Sequence, residues 1–227
     1  MNRKMVLHIF GRIALLEGAL MLIPAVVSLI YGEMRPVLSF LVASGGAMLI
    51  GAAINYFVHP KDHVIYAREG FVTVTVAWIG MALIGAMPFV ISGEIPNFID
   101  AVFETMSGFT TTGATILTDI ESLSRGILFW RSFTHWLGGM GVLVFIMAIA
   151  NNFTDRSIHI MRAEMPGPVV GKLLPKVKDT AKILYLIYMG LTLLETVFLC
   201  FGGLSLYEAL IHSFGTAGTG GFSIYSA

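Results

Sequence analysis

Residues 37–58, VLSFLVASGGAMLIGAAINYFV, and residues 71–92, FVTVTVAWIGMALIGAMPFVIS, contain no charged side chain. Each exceeds the roughly 20 residues that an α-helix needs to cross a hydrocarbon layer about 30 Å thick. A helix apolar all round is not stable in water, whereas in lipid it satisfies every one of its own backbone groups. These two segments commit the chain to a membrane. Residues 13–31, 129–150 and 183–203 are also long and apolar, so five spans are expected. The composition agrees: 56% of the 227 residues are hydrophobic and 12% charged, against about 25% charged in a soluble domain.

The basic start, MNRKMVLHIFGR, leads into an apolar stretch that reaches Tyr31 without a small-residue cleavage site, so a retained helix is expected and not a removed signal peptide. The lone Cys200 excludes an internal disulfide, and zero formal net charge argues against a nucleic-acid partner. With the N-terminus placed in the cytoplasm, Arg3, Lys4, Arg12, Lys61, Arg68, Arg156, Arg162, Lys172, Lys176, Lys178 and Lys182 fall inside. Only Arg35, Arg125 and Arg131 then fall outside. Eleven cations against three follow the positive-inside rule. The connections 59–70 and 151–182 are then cytoplasmic, and the sequon at Asn152 faces the wrong side for glycosylation.

Between the third and fourth expected spans lies PNFIDAVFETMSGFTTTGAT. Its helical part, 98–109, would be about 18 Å long at 1.5 Å per residue, too short to cross. A shift of 108 residues aligns NFIDAVFETMSGFTTTGA (97–114) with SLYEALIHSFGTAGTGGF (205–222) without a gap. Ala101/Ala209, Thr111/Thr219 and Gly113/Gly221 are identical pairs. Asn97 and Ser205 are both good N-cap residues, each followed three positions later by an acid, Asp100 or Glu208, as in a capping box. Two short helices are expected, each running into a Thr/Gly-rich segment. A repeat unit of two full spans and one re-entrant helix and loop returns the chain to the same side, so both segments are expected to dip from the outer face.

Non-helical backbone at membrane depth is tolerated only where it is buried in protein or lines a water-filled cavity. Carbonyls and threonine hydroxyls there are hard neutral ligands that can replace the hydration shell of a monovalent cation. Gly113 and Gly221 supply the backbone freedom to aim successive carbonyls. The helix C-termini near Phe109 and Ala217 favour a cation, and Asp100 and Glu104 are placed to add attraction from outside. The competing reading is close helix packing through small residues, and Asp100 and Glu208 can equally do no more than complement their helix N-termini. A phosphate loop is disfavoured, since there is neither a βαβ pattern nor a Walker lysine.

Glu17 and Glu195 lie in apolar segments, where carboxylates are costly. Glu17 is expected near the cytoplasmic end of its helix; Glu195 lies deeper, as a structural acid or part of an ion pathway. Arg131 and His135, one turn apart, either brace the Thr/Gly segments or anchor the interface beside Trp130 and Trp136. GGMG, 138–141, reads as a close-packing site.

The stretches DAVFETMSGFTTTGAT, WRSFTHWLGGMGVLVFIMAIA, DTAKILYLIY and HSFGTAGTGGFS resemble the TrkH/KtrB potassium transporters, bacterial relatives of plant HKT proteins, over essentially the whole chain. The resemblance implies an all-α membrane protein with two N-terminal helices (1–67), then repeats of helix, pore helix, filter loop and helix of potassium-channel type. One repeat is complete (68–175) and one incomplete (176–227). It implies potassium as the transported ion, with filter positions Thr110, Thr111, Thr112 and Gly113, and Gly218, Thr219, Gly220 and Gly221. It further implies a homodimer in the bacterial inner membrane and a cytoplasmic nucleotide-binding ring of TrkA or KtrA type, for which 151–182 is a candidate contact. Such a protein performs permeation without covalent chemistry, so no catalytic residue is expected. Ala227 stands six residues after Gly221, and two filter loops do not close a four-fold pore. The chain is therefore expected to be a piece of a longer transporter. The rival expectation is a secondary transporter with substrate at broken helices near the midplane.

Overall fold

The computed structural model describes residues 2–60, 67–139, 141 and 177–225. All regular structure among them is helical: α1 (Arg3–Leu20), α2 (Leu22–Ile30), α3 (Met34–Phe57), α4 (Ala67–Gly85), α5 (Met87–Ser92), α6 (Phe98–Phe109), α7 (Arg125–Gly139), α8 (Val177–Phe201) and α9 (Leu206–Ala217). Arg3–Ile30, Met34–Phe57, Glu69–Ser92 and Lys182–Phe201 are long and apolar enough to cross a membrane. Of the fifth expected span, 129–150, only the part to Gly139 and the single residue Gly141 lie among the described residues.

Two of these spans are interrupted where a proline follows. Pro24 has no N–H to give the Leu20 carbonyl, and the helix breaks at Met21 between α1 and α2. Pro88 does the same to Ile84, and α4 gives way to α5 at Ala86. In both places the backbone stays right-handed, with φ −63° at Met21 and −75° at Ala86, so the chain bends without turning back.

The first span begins at Arg3, ten residues before the sequence-based expectation. Its charged residues deter a membrane assignment but are no obstacle to helix, and Asn2 caps it by accepting from the Met5 N–H at 3.2 Å. This start corrects the expectation for Glu17. Glu17 is not near the cytoplasmic end; it sits about midway along Arg3–Ile30, 3% exposed, with no hydrogen-bond partner for either carboxylate oxygen among the described residues.

Helices α1 and α3 form an antiparallel pair through small residues. Ser44 donates its hydroxyl to the Gly18 carbonyl at 2.6 Å, and a Cβ at Gly51 would lie 2.6 Å from the Gly11 carbonyl oxygen, closer than any real side chain allows. Without a hydrophobic drive between helices in lipid, such close backbone contact is what holds them together. This pair leans on α4, while α2 packs against α7. The non-crossing helix α6 sits between α4 and α7, and α9 sits between α7 and α8. Helix α7 therefore lies between the two short helices, and its side chains bind them into one core. Phe129 and Phe133 contact Phe214 of α9 with ring centroids 5.6 and 5.4 Å apart. On the other side Trp130 meets Phe109 of α6 edge to face at 6.3 Å. Trp130 is fully buried and donates its indole N–H to the Gly85 carbonyl at 2.9 Å, at the α4–α5 break, so it is not an interfacial anchor.

Candidate functional site

The two short helices have the same twelve-residue length and occupy positions 108 residues apart, Phe98–Phe109 and Leu206–Ala217. Their starts differ in detail. Ser205 and Glu208 form a full reciprocal capping box, whereas Asn97 accepts only from the Ile99 N–H at 3.0 Å. Asp100 stands in the first turn of α6 without closing a box. Its place there fits complementing the helix N-terminus.

Their ends repeat bond for bond. Thr110, Thr111 and Thr112 donate their N–H groups to Met106, Gly108 and Ser107; Gly218, Thr219 and Gly220 donate to Phe214, Thr216 and Gly215. Every pair in the second set is the first moved by 108. Beyond these bonds the backbone alternates in hand: Thr111 (φ +53°) and Gly113 (φ +75°) are left-handed, as are Thr219 (φ +56°) and Gly221 (φ +84°), while Thr110 and Gly218 are right-handed. A β-branched residue in the left-handed region is a genuine outlier, and two at equivalent positions indicate a shape that the surroundings impose.

That alternation has a chemical consequence. Successive right- and left-handed residues gather their N–H groups on one side. Here the N–H groups are spent on the last turn of each helix. The carbonyls of 110–113 and 218–221 accept no hydrogen bond among the described residues. Of these residues Thr111, Gly113, Gly218 and Gly220 are buried or half-buried, where a carbonyl is seldom left unpaired and a cation suits it. The negative ends of α6 and α9 meet the same segments. Thr110 and Thr112 are exposed, their hydroxyls 2.8 Å apart. Thr219, Gly220 and Gly221 border a cavity of about 440 Å³ together with His212 and Thr216. The segments touch: a Cβ on Gly113 would strike the Gly220 carbonyl oxygen.

Residues 40–227 match the family model of TrkH, described as a cation transport protein. The chain belongs to the TrkH family. It is 38% identical to the Trk system potassium uptake protein TrkH of Escherichia coli (strain K12), an alignment covering all of this chain and 47% of the relative. It is 34% identical to the Trk system potassium uptake protein TrkG of the same strain, over 98% of this chain and 46% of that protein. The crystal structure of the potassium transporter TrkH from Vibrio parahaemolyticus superposes with a TM-score of 0.83 at 32% identity, covering this whole chain and 45% of that one. The chain thus spans about half the length of the curated relatives it matches.

In this TrkH-family chain the two Thr/Gly segments share one buried scaffold on α7. Glu104 and Arg131, 1% and 2% exposed, form an ion pair with Nε and Oε1 2.6 Å apart. Glu104 also accepts from the Thr115 hydroxyl at 2.8 Å and the Ile116 N–H at 3.2 Å, pinning the chain that leaves the first segment. Arg131 donates from Nη1 to the Ser223 carbonyl at 2.9 Å, and its guanidinium lies 3.5 Å from the Phe222 ring centroid, so it pins the chain leaving the second. This corrects one expectation: Glu104 does not face outside to attract ions, because its charge is neutralised by Arg131 and closed off from solvent. Nor is Arg131 a free outer cation.

One turn along, His135 is fully buried with its ring stacked on Phe222 at 3.9 Å, against Gly220. Its carbonyl oxygen lies 2.6 Å from where a Gly218 Cβ would be. Gly138 rests on the Phe109 backbone and Gly139 against Gly218 and the Tyr188 hydroxyl, so these two glycines carry the end of α7 past the C-termini of both short helices. Residues 131, 135 and 138 fall on one helix face by the spacing of three and four. Glu195 is elsewhere: it is half-buried on α8 and makes no hydrogen bond or ion pair among the described residues.

Sequence reasoning misses how α7 begins. Two carboxylates from distant connections cap it: Glu33 accepts from the Arg125 and Gly126 N–H groups at 2.8 and 3.1 Å, and Glu94 from the Ser124 N–H at 2.9 Å. Burial raises the Glu94 carboxyl above its usual range, against the lowering effect of its bonds to Ser124, and the neighbouring Glu33 charge pushes it the same way as burial. Nothing in the local sequence signals these caps, since their partners lie 30 and 92 residues away.

Proposed function

We propose that this chain forms part of a potassium uptake pathway across the bacterial cytoplasmic membrane, with Thr110–Gly113 and Gly218–Gly221 as two segments of a carbonyl-lined selectivity filter. The observation that carries this reading is the repeated left-handed backbone at Thr111, Gly113, Thr219 and Gly221, with the carbonyls of both segments unbonded among the described residues. A desolvated potassium ion takes such oxygens in place of water. The relatives named for potassium uptake add support from outside the chain. The division into residues 1–67, 68–175 and 176–227 belongs to this reading, as do a cytoplasmic N-terminus, a homodimer and a nucleotide-binding regulatory ring of TrkA or KtrA type docking from the cytoplasm. Residues 151–176 of the connection proposed to meet that ring lie outside the described residues.

Gly113→Ser tests the filter. Its Cβ collides with the Gly220 carbonyl, and a left-handed φ of +75° strains any side chain. In the full-length protein reconstituted into liposomes, the ratio of potassium to sodium flux should fall about tenfold, the effect of about 1.4 kcal/mol of lost discrimination. Unchanged flux and unchanged ratio would show that residue 113 is no part of a filter.

A further inference from the structure

At the outer end of the molecule the turn between α2 and α3 reaches across two other elements. Tyr31, Gly32 and Glu33 make this turn, in which Gly32 is left-handed with φ +74°. The Glu33 carboxylate takes the first two N–H groups of α7. The Arg125 guanidinium lies 4.5 Å from the centroid of the Tyr31 ring and 5.4 Å from that of Tyr207. The two rings meet edge to face at 5.4 Å, and the Tyr207 hydroxyl donates to the Arg125 carbonyl at 2.7 Å. Below the turn, Gly126 packs so closely on Ser28 that a Cβ there would collide with the Ser28 hydroxyl. The turn is thus fixed to α7 by its carboxylate, by the Arg125 guanidinium against the Tyr31 ring and by close packing at Gly126.

Tyr207 is the second residue of α9, the helix that ends in the segment 218–221. A twelve-residue helix is stiff and about 18 Å long, so a shift or tilt at its start is carried to its end. Both short helices are capped within their own chain stretches, α6 by Asn97 and α9 by the Ser205–Glu208 box, so the contacts of Tyr207 come in addition to the local cap. The second short helix is docked on its outer side through Tyr207 to residues 82 and 176 positions away.

We propose that the Tyr31–Glu33 turn is a positioning clamp for the second short helix: by holding Arg125 and Tyr207 it sets segment 218–221 against segment 110–113. Tyr31, Glu33, Arg125 and Tyr207 touch no transported ion and act through α9. The clamp gives the two N-terminal helices a part in discrimination as well as in membrane anchoring. It rests on the filter reading above, and the test separates the two.

The full-length protein is compared in liposomes as wild type, Tyr31→Leu, Tyr31→Phe and Gly113→Ser, each read by its potassium-to-sodium flux ratio at matched protein content. The ring, and not its hydroxyl, makes the stack, so Tyr31→Phe should keep the wild-type ratio. Tyr31→Leu removes an exposed cation–π contact and its edge-to-face partner, and its ratio should fall about two- to fivefold. A merely structural loss would reduce the number of active molecules and leave the ratio alone. If Tyr31→Leu keeps the wild-type ratio while Gly113→Ser loses it, the clamp is refuted and the filter stands. If Gly113→Ser also keeps the ratio, the filter reading falls and takes the clamp with it. Should Tyr31→Leu not reach the membrane, Tyr31→Met, which keeps apolar volume without a ring, is read by the same ratio against the same two outcomes.

Discussion

The Glu104–Arg131 pair concentrates more of the site's energetics than any other two residues. Two charges inside a membrane protein are tolerable only when each is matched and its remaining hydrogen-bonding capacity is used. Both conditions hold: Glu104 receives Thr115 and Ile116 in addition to Arg131, and Arg131 reaches Ser223 in addition to Glu104. Glu104→Ala leaves a buried guanidinium without its counter-charge, and thermal unfolding in detergent should show a loss of about 3–5 kcal/mol. Arg131→Lys keeps the charge but a single ammonium does not fork between Glu104 and Ser223. It should unfold at an intermediate temperature, with faster hydrogen exchange in 221–225; exchange there equal to wild type would refute the fork as the link between segments. Sequence reading brings Arg131 and His135 to the site through helical spacing alone, but it misplaces Glu104. A carboxylate on a short helix looks outward until its partner 27 residues away is known.

At the scale of elements, the two short helices were the most legible part of the chain, and the reasons are local. An N-cap residue, an apolar face and a Thr/Gly stop all lie within twenty residues, and the boundaries 98–109 follow from them. The long spans were read less well at their ends. Hydropathy marks where lipid begins, not where helix begins, so α1 extends ten residues and α7 four residues beyond the apolar limits. Repeat symmetry at the sequence level also hid a difference in capping. Glu208 accepts from the Ser205 N–H at 2.9 Å, the Ser205 hydroxyl at 2.7 Å and the Tyr225 hydroxyl at 2.9 Å, and these bonds hold its carboxyl below the ordinary 4.5, led by the Ser205 side chain. A depressed carboxylate contributes stability that is present above its unfolded value and is lost as pH falls through its folded value. The thermal stability of wild type should therefore exceed that of Glu208→Gln at neutral pH, and the gap should close as pH drops below 4.5. Asp100→Asn, at the equivalent position without a capping box, should show a smaller gap. Equal gaps for both variants would mean that the box at Ser205 adds nothing.

For the molecule as a whole, the two Thr/Gly segments meet at Gly113 and Gly220, as expected of a repeat unit with an even number of crossings. Glu69–Ser92 and Lys182–Phe201 are each long and apolar enough to cross, and the expected crossing over 129–150 lies, beyond Gly139 and Gly141, outside the described residues. A parallel repeat of this kind lets equivalent loops face one another across a common axis, while an inverted one would place them at opposite faces. The positive-inside rule gives the expectation for which face is which. Lysines and arginines gather in the connections 59–70 and 151–182, and Arg131, counted as outer by position, is neutralised within the protein, which sharpens the asymmetry. The prediction concerns sidedness. With Cys200 replaced by serine, Ser122→Cys in the exposed connection before α7 should react with a membrane-impermeant thiol reagent on intact spheroplasts. His59→Cys, exposed just beyond α3, should react only after the membrane is opened. The reverse pattern would turn the molecule over, put the Thr/Gly segments on the cytoplasmic face, and leave the basic connections to be explained by something other than topology. Reaction of both positions in intact cells would contradict the crossing of the α4–α5 span, because that span, with α6 too short to cross, is what separates residue 59 from residue 122.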